Sequence, residues 1–136
     1  MPLTVEAFDH IVLNVEDVEL AASWYQRVLG MRREMFLPPQ SEDMRTALIF
    51  GKQKINLRPI AAGADEWSTG DHVSTGSADL CFLTQSQPDD VVMHLGTVGV
   101  PVEVGPVQRR GAQGTLISVY CRDPDGNLIE IASYRT

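Results

Sequence analysis

The stretch FDHIVLNV, residues 8–15, is predicted to form a mainly apolar β-strand, and a period of two residues divides it into two different faces. One face of this strand is apolar and suited to packing on a helix; it comprises Ile11, Leu13 and Val15. The other face carries two polar groups among apolar ones; it comprises Phe8, His10, Val12 and Asn14. A face that met only water would not need Phe8 and Val12, so the pattern predicts that His10 points into a sheltered cavity.

The segment that follows, VEDVELAASWYQRVLGM, has the spacing of an amphipathic helix. Asp17 is placed to cap its amino end and Gly30 to end it. The apolar residues that recur at helical spacing are Leu20, Ala21, Trp24, Tyr25, Val28 and Leu29. Three strand patterns come next, RREMFL, RTALIFG and QKINLRP, and residues 61–76 are predicted to form a connecting loop.

The same order of elements recurs in the second half of the chain. SADLCFLT predicts a strand, QPDDVVMHLGTVGV a helix, and PVEVGP, TLISVYC and NLIEIASY three more strands. GPVQRRGAQG is predicted to be a flexible connection outside the core. Two copies of strand, helix, strand, strand, strand predict an α+β fold of two βαβββ modules, residues 1–60 and 75–136. Each helix would cover one face of its sheet and leave the other face toward a cavity.

Composition narrows the classes of function. The 136 residues suffice for one domain, and the net charge of -7 disfavours binding to nucleic acid or to an anionic membrane surface. No run of about 18 apolar residues predicts a transmembrane helix, and the first ten residues do not have the pattern of a secretory signal. Cys81 and Cys121 lie in apolar stretches without metal-type spacing, so they are predicted to be reduced and buried in a cytoplasmic protein.

Four polar residues take matching places on the cavity side of the predicted strands. They are His10, Asn56, Asp79 and Glu130. Glu130 lies between Ile129 and Ile131, where a carboxylate is expected to be paired, protonated or bound to a metal. One imidazole, two carboxylates and an amide oxygen suit Mn²⁺, Fe²⁺, Ni²⁺ or Zn²⁺. Each residue taken singly also has a structural interpretation, such as a hydrogen-bonded core histidine or an asparagine that satisfies a backbone group.

Two longer stretches, FDHIVLNVEDVELAASWYQRVLGM and ISVYCRDPDGNLIEIASY, resemble the vicinal oxygen chelate superfamily, which includes glyoxalase I, extradiol dioxygenases and bleomycin-binding proteins. KINLRP, GSADLCFLT and GVPVEVGPVQRRGAQG are similar to its glyoxalase domain-containing protein 5 and virulence protein group. The resemblance covers nearly the whole chain. It implies one domain, residues 1–136, whose two modules form a cupped, half-barrel mixed sheet around a divalent metal, with the helices outside.

Carried over by position, the resemblance implies His10 and Glu130 as metal ligands. The two remaining family positions fall on Asn56 and Asp79, where enzymatic members more often carry Glu, Gln or His. His72, in the loop GDHVSTGSAD, is a further candidate ligand, with a solvated loop histidine as the alternative. His94 is predicted to lie on the surface of the second helix.

The resemblance implies a metal-dependent enzyme, in which the metal acts as a Lewis acid on a small substrate with neighbouring oxygens. A lyase or isomerase and a dioxygenase are both open, and members are commonly homodimers. Glu130 and Asp79 are the predicted catalytic residues. The predicted substrate-binding residues are Arg58, Arg109 and Tyr120, the arginines suiting a carboxylate or phosphate.

The alternative is a metal-free small-molecule or drug-binding protein of the bleomycin-resistance type. Such a protein would keep the fold and need neither His10 nor Glu130. Aromatic side chains would then contact the ligand; the candidates are Trp24, Trp67 and Tyr120.

Overall fold

The chain is described by a computed structural model that covers residues 2–135. It divides into two compact units, and the division falls between Val73 and Ser74 in the sequence. Each unit has the element order strand, helix, strand, strand, strand. The prediction of an α+β fold with two βαβββ modules is therefore confirmed.

The first unit, called unit 1 below, is a four-stranded mixed sheet with one helix. Its elements are β1 (His10–Val15), α1 (Val18–Leu29), β2 (Arg32–Phe36), β3 (Arg45–Phe50) and β4 (Gln53–Pro59). The strand order is β1-β4-β3-β2, with β1 parallel to β4 and the other neighbours antiparallel. The sheet is open, because β1 and β2 each have only one neighbouring strand.

Helix α1 has the ends that its sequence predicts. The Asp17 carboxylate accepts a hydrogen bond from the Leu20 amide at 3.0 Å, and Gly30 ends the helix in the left-handed region, at φ 66°. The helix covers one sheet face, where Leu13 and Val15 are buried as expected and Ile55 and Leu57 are buried beside them. Leu20 was predicted on the apolar side of α1 but is exposed, because it lies on the side of the helix turned to solvent.

The second unit, called unit 2 below, repeats this design. Its elements are β5 (Asp79–Leu83), α2 (Pro88–Thr97), β6 (Val104–Gly111), β7 (Gly114–Arg122) and β8 (Leu128–Tyr134). The strand order is β5-β8-β7-β6, with β5 parallel to β8. On the face that α2 covers, Val119, Cys121 and Ile129 are fully buried.

Strand β6 corrects the prediction of a flexible connection. The segment predicted to be flexible forms most of β6, which pairs antiparallel with β7 around an irregularity between Val104 and Val107. The irregularity requires a glycine at position 105. Its φ is +113°, and a Cβ there would lie 2.4 Å from the Ser118 carbonyl oxygen, so no other residue fits. Glycine, proline and arginine disfavour a strand locally, but the ladder to β7 outweighs that preference.

Two smaller expectations were wrong. Phe8 was predicted to lie within the first strand, but β1 begins at His10 and Phe8 is exposed. Cys81 was predicted to be buried, but it lies exposed on the sheet face that α2 leaves open. Among residues 2–135, no helix is long and apolar enough to cross a membrane.

Candidate functional site

The face of unit 2 opposite α2 gathers the polar side chains of three strands. Cys81 of β5 pairs with Glu130 of β8, which in turn pairs with Tyr120 of β7. Ser118 lies two residues before Tyr120 and therefore faces the same side. We call these four residues, Cys81, Ser118, Tyr120 and Glu130, the carboxylate cluster.

Glu130 is at the centre of the carboxylate cluster. Its Oε2 accepts a hydrogen bond from the Ser118 hydroxyl at 2.6 Å, and Ser118 is fully buried. The pKa of the Cys81 thiol is raised to about 11, first by the partial desolvation of its sulfur and then by the negative charge and hydrogen bonding of Glu130, with a smaller contribution from Asp79. The thiol therefore stays protonated near neutral pH beside the carboxylate.

Tyr120 connects the cluster to Arg109. Burial is the first cause of a raised Tyr120 pKa, and the negative charge and hydrogen bonding of Glu130 add to it. The Arg109 Nε donates to the Tyr120 hydroxyl at 3.2 Å, and the guanidinium carbon lies 5.5 Å from the ring centroid. The Tyr120 phenol thus lies between the Glu130 carboxylate and the exposed Arg109 cation on this face.

The turn DPDGN, residues 123–127, fixes the strand that carries Glu130. The buried Asp123 carboxylate accepts from the Asn127 amide at 2.9 Å and from its side-chain Nδ2 at 2.8 Å. The Asn127 Oδ1 accepts from the Ala78 amide at 2.9 Å, one residue before β5 begins at Asp79. The turn therefore ties the start of β8 to the start of β5, which sets the register between Cys81 and Glu130.

Asp79 is exposed at the first position of β5. Strand alternation places it on the same face as Cys81, and its charge is the smallest of the four causes that raise the Cys81 pKa. The predicted residues Asp79, Arg109, Tyr120 and Glu130 thus share one face of unit 2.

The face of unit 1 opposite α1 holds the other predicted site residues. His10 pairs with Lys54, and Val12 pairs with Asn56, so His10 and Asn56 are diagonal neighbours. The His10 Nδ1 lies 2.8 Å from the Asp9 Oδ2, and both side chains are exposed. Asn56 is buried, and its Oδ1 has no hydrogen-bond partner within residues 2–135.

Arg58 lies two residues after Asn56 on β4, so its side chain is on the same sheet face. It is only 2% exposed. Its guanidinium donates to the Asn14 Oδ1 and to the carbonyl oxygens of Ala62 and Trp67, at 2.7–3.1 Å. The residue therefore holds the segment after β4 against the sheet.

Other candidates lie away from these two faces. His72 and His94 are exposed, His72 in the loop and His94 on α2 as predicted. Trp24 is buried beside Tyr25 in the core of unit 1, so the expectation that it contacts a ligand is wrong. In the part of the chain that the structure describes, no three His, Cys, Asp or Glu side chains form a cluster that could hold a metal ion.

Three contacts on or beside these faces were not predicted from the sequence. Ser118 was missed although its spacing of two residues from Tyr120, the partner of Glu130, makes it a diagonal neighbour of Glu130 on the same sheet face. Asp9 directly precedes His10, and a carboxylate beside a candidate metal-binding histidine is itself a signal. The backbone role of Trp67 in holding Arg58 had no signal in the sequence.

Comparisons with known proteins agree on one family. The model of the Glyoxalase/Bleomycin resistance protein/Dioxygenase superfamily matches residues 7–131. Virulence protein STM3117 of Salmonella typhimurium is 41% identical over 132 residues, which are 97% of this chain and 87% of that protein. Glyoxalase domain-containing protein RDO1 of Mycosarcoma maydis is 40% identical over 133 residues, which are 98% of this chain and 71% of that protein.

Solved structures give the same fold with different chemistry. Lactoylglutathione lyase from Agrobacterium tumefaciens matches with a TM-score of 0.70 and 25% identity, over 96% of this chain and 95% of that one. TnmS3, an antibiotic binding protein from Streptomyces sp. CB03234, matches with a TM-score of 0.74 over 98% of this chain and 100% of that one. At 19% identity, the likeness to TnmS3 shows the fold alone.

Proposed function

The chain belongs to the Glyoxalase/Bleomycin resistance protein/Dioxygenase superfamily, and we propose that it is a metal-dependent enzyme acting on a small substrate with two neighbouring oxygens. The reaction proposed first is of the lyase or isomerase type, in which a proton leaves the carbon next to a carbonyl group. The likeness to a lactoylglutathione lyase supports this type. Ring cleavage by a dioxygenase is the second type.

The observation that carries the proposal is the oriented carboxylate of Glu130. Ser118 fixes its Oε2 at 2.6 Å, while Cys81 and Tyr120 remain protonated beside it. A carboxylate held in place by a buried hydroxyl is suited to take up a proton from a bound substrate. Tyr120 and Arg109 supply a phenol and a cation that would bind the substrate oxygens.

We propose His10, Asn56, Asp79 and Glu130 as the residues that would hold a divalent metal such as Mn²⁺, Fe²⁺, Ni²⁺ or Zn²⁺, because their donor atoms are of the types that these ions accept. Asp9 engages the His10 Nδ1, an arrangement that leaves Nε2 as the metal-binding nitrogen. Carboxylate oxygens of Glu130 and Asp79 and the buried amide oxygen of Asn56 are donors that these ions accept. When bound, the metal would polarise the substrate oxygens as a Lewis acid.

Hydrogen exchange at carbon tests the proposed chemistry before the natural substrate is identified. A panel of α-hydroxycarbonyl compounds is incubated in D₂O with the Mn²⁺-treated protein, and deuterium uptake is followed by NMR. We expect uptake into at least one compound, and Glu130→Gln to slow it by about 100-fold or more, as loss of a general base does. Glu42→Gln makes the same chemical change at an exposed site and should leave the rate unchanged.

Oxygen consumption with catechols tests the dioxygenase type in the same preparation. If no compound takes up deuterium but catechols cause oxygen consumption, the dioxygenase type replaces the lyase or isomerase type. Absence of both across the panels would contradict an enzymatic role on these substrate classes.

A second candidate function is metal-free binding of a small molecule. The observation that favours it is the Asn56 Oδ1, a buried acceptor that a ligand N–H or O–H could satisfy. TnmS3 shows that an antibiotic binding protein can have this fold. This alternative predicts ligand binding that chelators do not change, whereas the first proposal predicts activity that chelators abolish.

We also propose that the protein is a cytoplasmic homodimer, as the family resemblance implies. Light scattering after gel filtration should then give a mass of about twice the 15.0 kDa of one chain. A mass equal to that of one chain would contradict the dimer.

A further inference from the structure

We propose that the cavity beside Arg58 in unit 1 binds a small oxyanion, a carboxylate or a phosphate group. This inference goes beyond the proposed function, because it requires neither a metal nor turnover. It depends on two observations: a buried arginine whose hydrogen-bond partners are all neutral, and a cavity beside it that is lined by hydroxyl groups.

Arg58 is a buried cation whose hydrogen-bond partners are all neutral. Its Nε and Nη2 donate to the Trp67 carbonyl oxygen at 3.1 and 3.0 Å. Nη2 also donates to the Ala62 carbonyl oxygen at 2.7 Å, and Nη1 to the Asn14 Oδ1 at 2.9 Å. These bonds satisfy four of the five N–H groups of a guanidinium. Since burial of a cation is costly without an opposite charge, a bound anion would stabilise this arrangement.

Arg45 adds a second cation at the same segment. Its guanidinium carbon lies 3.7 Å from the centroid of the Trp67 ring, and its Nη2 donates to the Glu66 carbonyl oxygen at 3.3 Å. Two guanidinium groups therefore hold Trp67, Arg45 through the ring and Arg58 through the carbonyl oxygen. Neither arginine takes part in the ion pairs found among residues 2–135. Arg45 lines a different cavity from the one beside Arg58, and the segment also carries Asp65, Glu66 and Asp71, so the charge that faces the proposed anion is that of Arg58.

A cavity of about 360 Å³ opens beside Arg58. Ser68, Thr69 and Gly70 line it, so two hydroxyl groups can donate to an anion. The volume lies at the lower end of the range for small-molecule sites, which suits a small organic acid or a phosphate. Asp71 is exposed and also lines the cavity, and its charge would oppose the bound anion.

The test is an NMR titration of the full-length, metal-free protein with inorganic phosphate and with lactate. We expect saturable shifts of the backbone amides of residues 68–70 with at least one of the two anions. The double variant Ser68→Ala/Thr69→Val should weaken binding by about tenfold, as loss of hydrogen bonds to a charged group does. Asp71→Asn should strengthen it about two- to threefold, because it removes a nearby like charge.

Arg110→Gln is the matched control, since it removes an exposed positive charge of unit 2 and should leave the affinity unchanged. Arg58→Met tests the cation directly, but Arg58 also anchors the segment after β4, so the variant is interpreted only if it folds. Whether or not Arg58→Met folds, the variants Ser68→Ala/Thr69→Val and Asp71→Asn test whether an anion binds in this cavity. Failure of both anions to give saturable shifts, or equal affinity in the wild type and the hydroxyl variant, would overturn the proposal.

Discussion

Glu130 is held by Ser118, and this one hydrogen bond is the most direct residue-level test of the carboxylate cluster. Ser118→Ala removes the donor at 2.6 Å from the Glu130 Oε2. We expect a loss of about 1.5 to 3 kcal/mol in the free energy of unfolding, the usual contribution of a hydrogen bond to a charged group. Metal affinity should fall by about tenfold or more, as it does when a supporting residue of a ligand is lost.

Urea unfolding and metal titration measure these two effects. Ser133→Ala is the control, because Ser133 lies on β8 but faces the opposite side from Glu130. It should change stability by less than about 0.5 kcal/mol. Equal effects of the two substitutions would show that Ser118 does not hold the carboxylate.

Cys81 reports the charge of Glu130 through its rate of reaction with a thiol reagent. Only the thiolate reacts. A rise of the Cys81 pKa from 9.0 to about 11 should therefore slow labelling about 100-fold at pH 8. The rate should rise about tenfold for each pH unit until the pH approaches 11. Cys121, which is fully buried, should react only after unfolding.

Substitutions near Cys81 separate the causes of its raised pKa. Glu130→Gln should lower the pKa and speed labelling, although burial, the largest cause, keeps it above that of a free thiol. Asp79→Asn should speed labelling less, since its charge is the smallest cause. An unchanged rate in Glu130→Gln would show that the thiol and the carboxylate are not neighbours.

At the scale of elements, the two helices begin in different ways and offer a matched pair of substitutions. The Asp17 side chain caps α1, whereas Gln87 precedes α2 without a side-chain hydrogen bond to it. Asp17→Ala should cost about 1 kcal/mol of stability and Gln87→Ala close to none. Thermal and urea unfolding measure both, and equal losses would contradict the assigned role of Asp17.

Local signals explain why most element boundaries could be predicted. Asp17 and Gly30 mark the ends of α1 within the sequence itself, and a period of two residues alone placed Leu13 and Val15 on the buried helix side. β6 could not be predicted in the same way, because its strand conformation depends on pairing with β7 and on the fit of Gly105 against Ser118. Its residues carry no alternating pattern of their own.

The candidate site was predictable only in part for a similar reason. Alternation placed Glu130 on the face that α2 leaves open. Ser118 and the neutral partners of Arg58 depend on contacts between residues far apart in sequence. Such contacts are not visible until the strands are aligned.

At the scale of the whole molecule, the repeated βαβββ order and the motifs at both ends identified the superfamily, and the comparisons confirm it. The family does not by itself fix the chemistry, since lactoylglutathione lyase and TnmS3 have the same fold. The difference between the two candidate functions lies in whether the chain holds a metal ion.

Elemental analysis of the purified protein tests the central claim most directly. Wild-type protein and the variants His10→Ala, Glu130→Ala and His94→Ala are incubated with Mn²⁺, Fe²⁺, Ni²⁺ or Zn²⁺, desalted and assayed by mass spectrometry. We expect close to one equivalent of a divalent metal in the wild type and in His94→Ala, and almost none in the other two variants. A wild-type protein without metal, or a His10→Ala variant that retains as much as His94→Ala, would contradict the account.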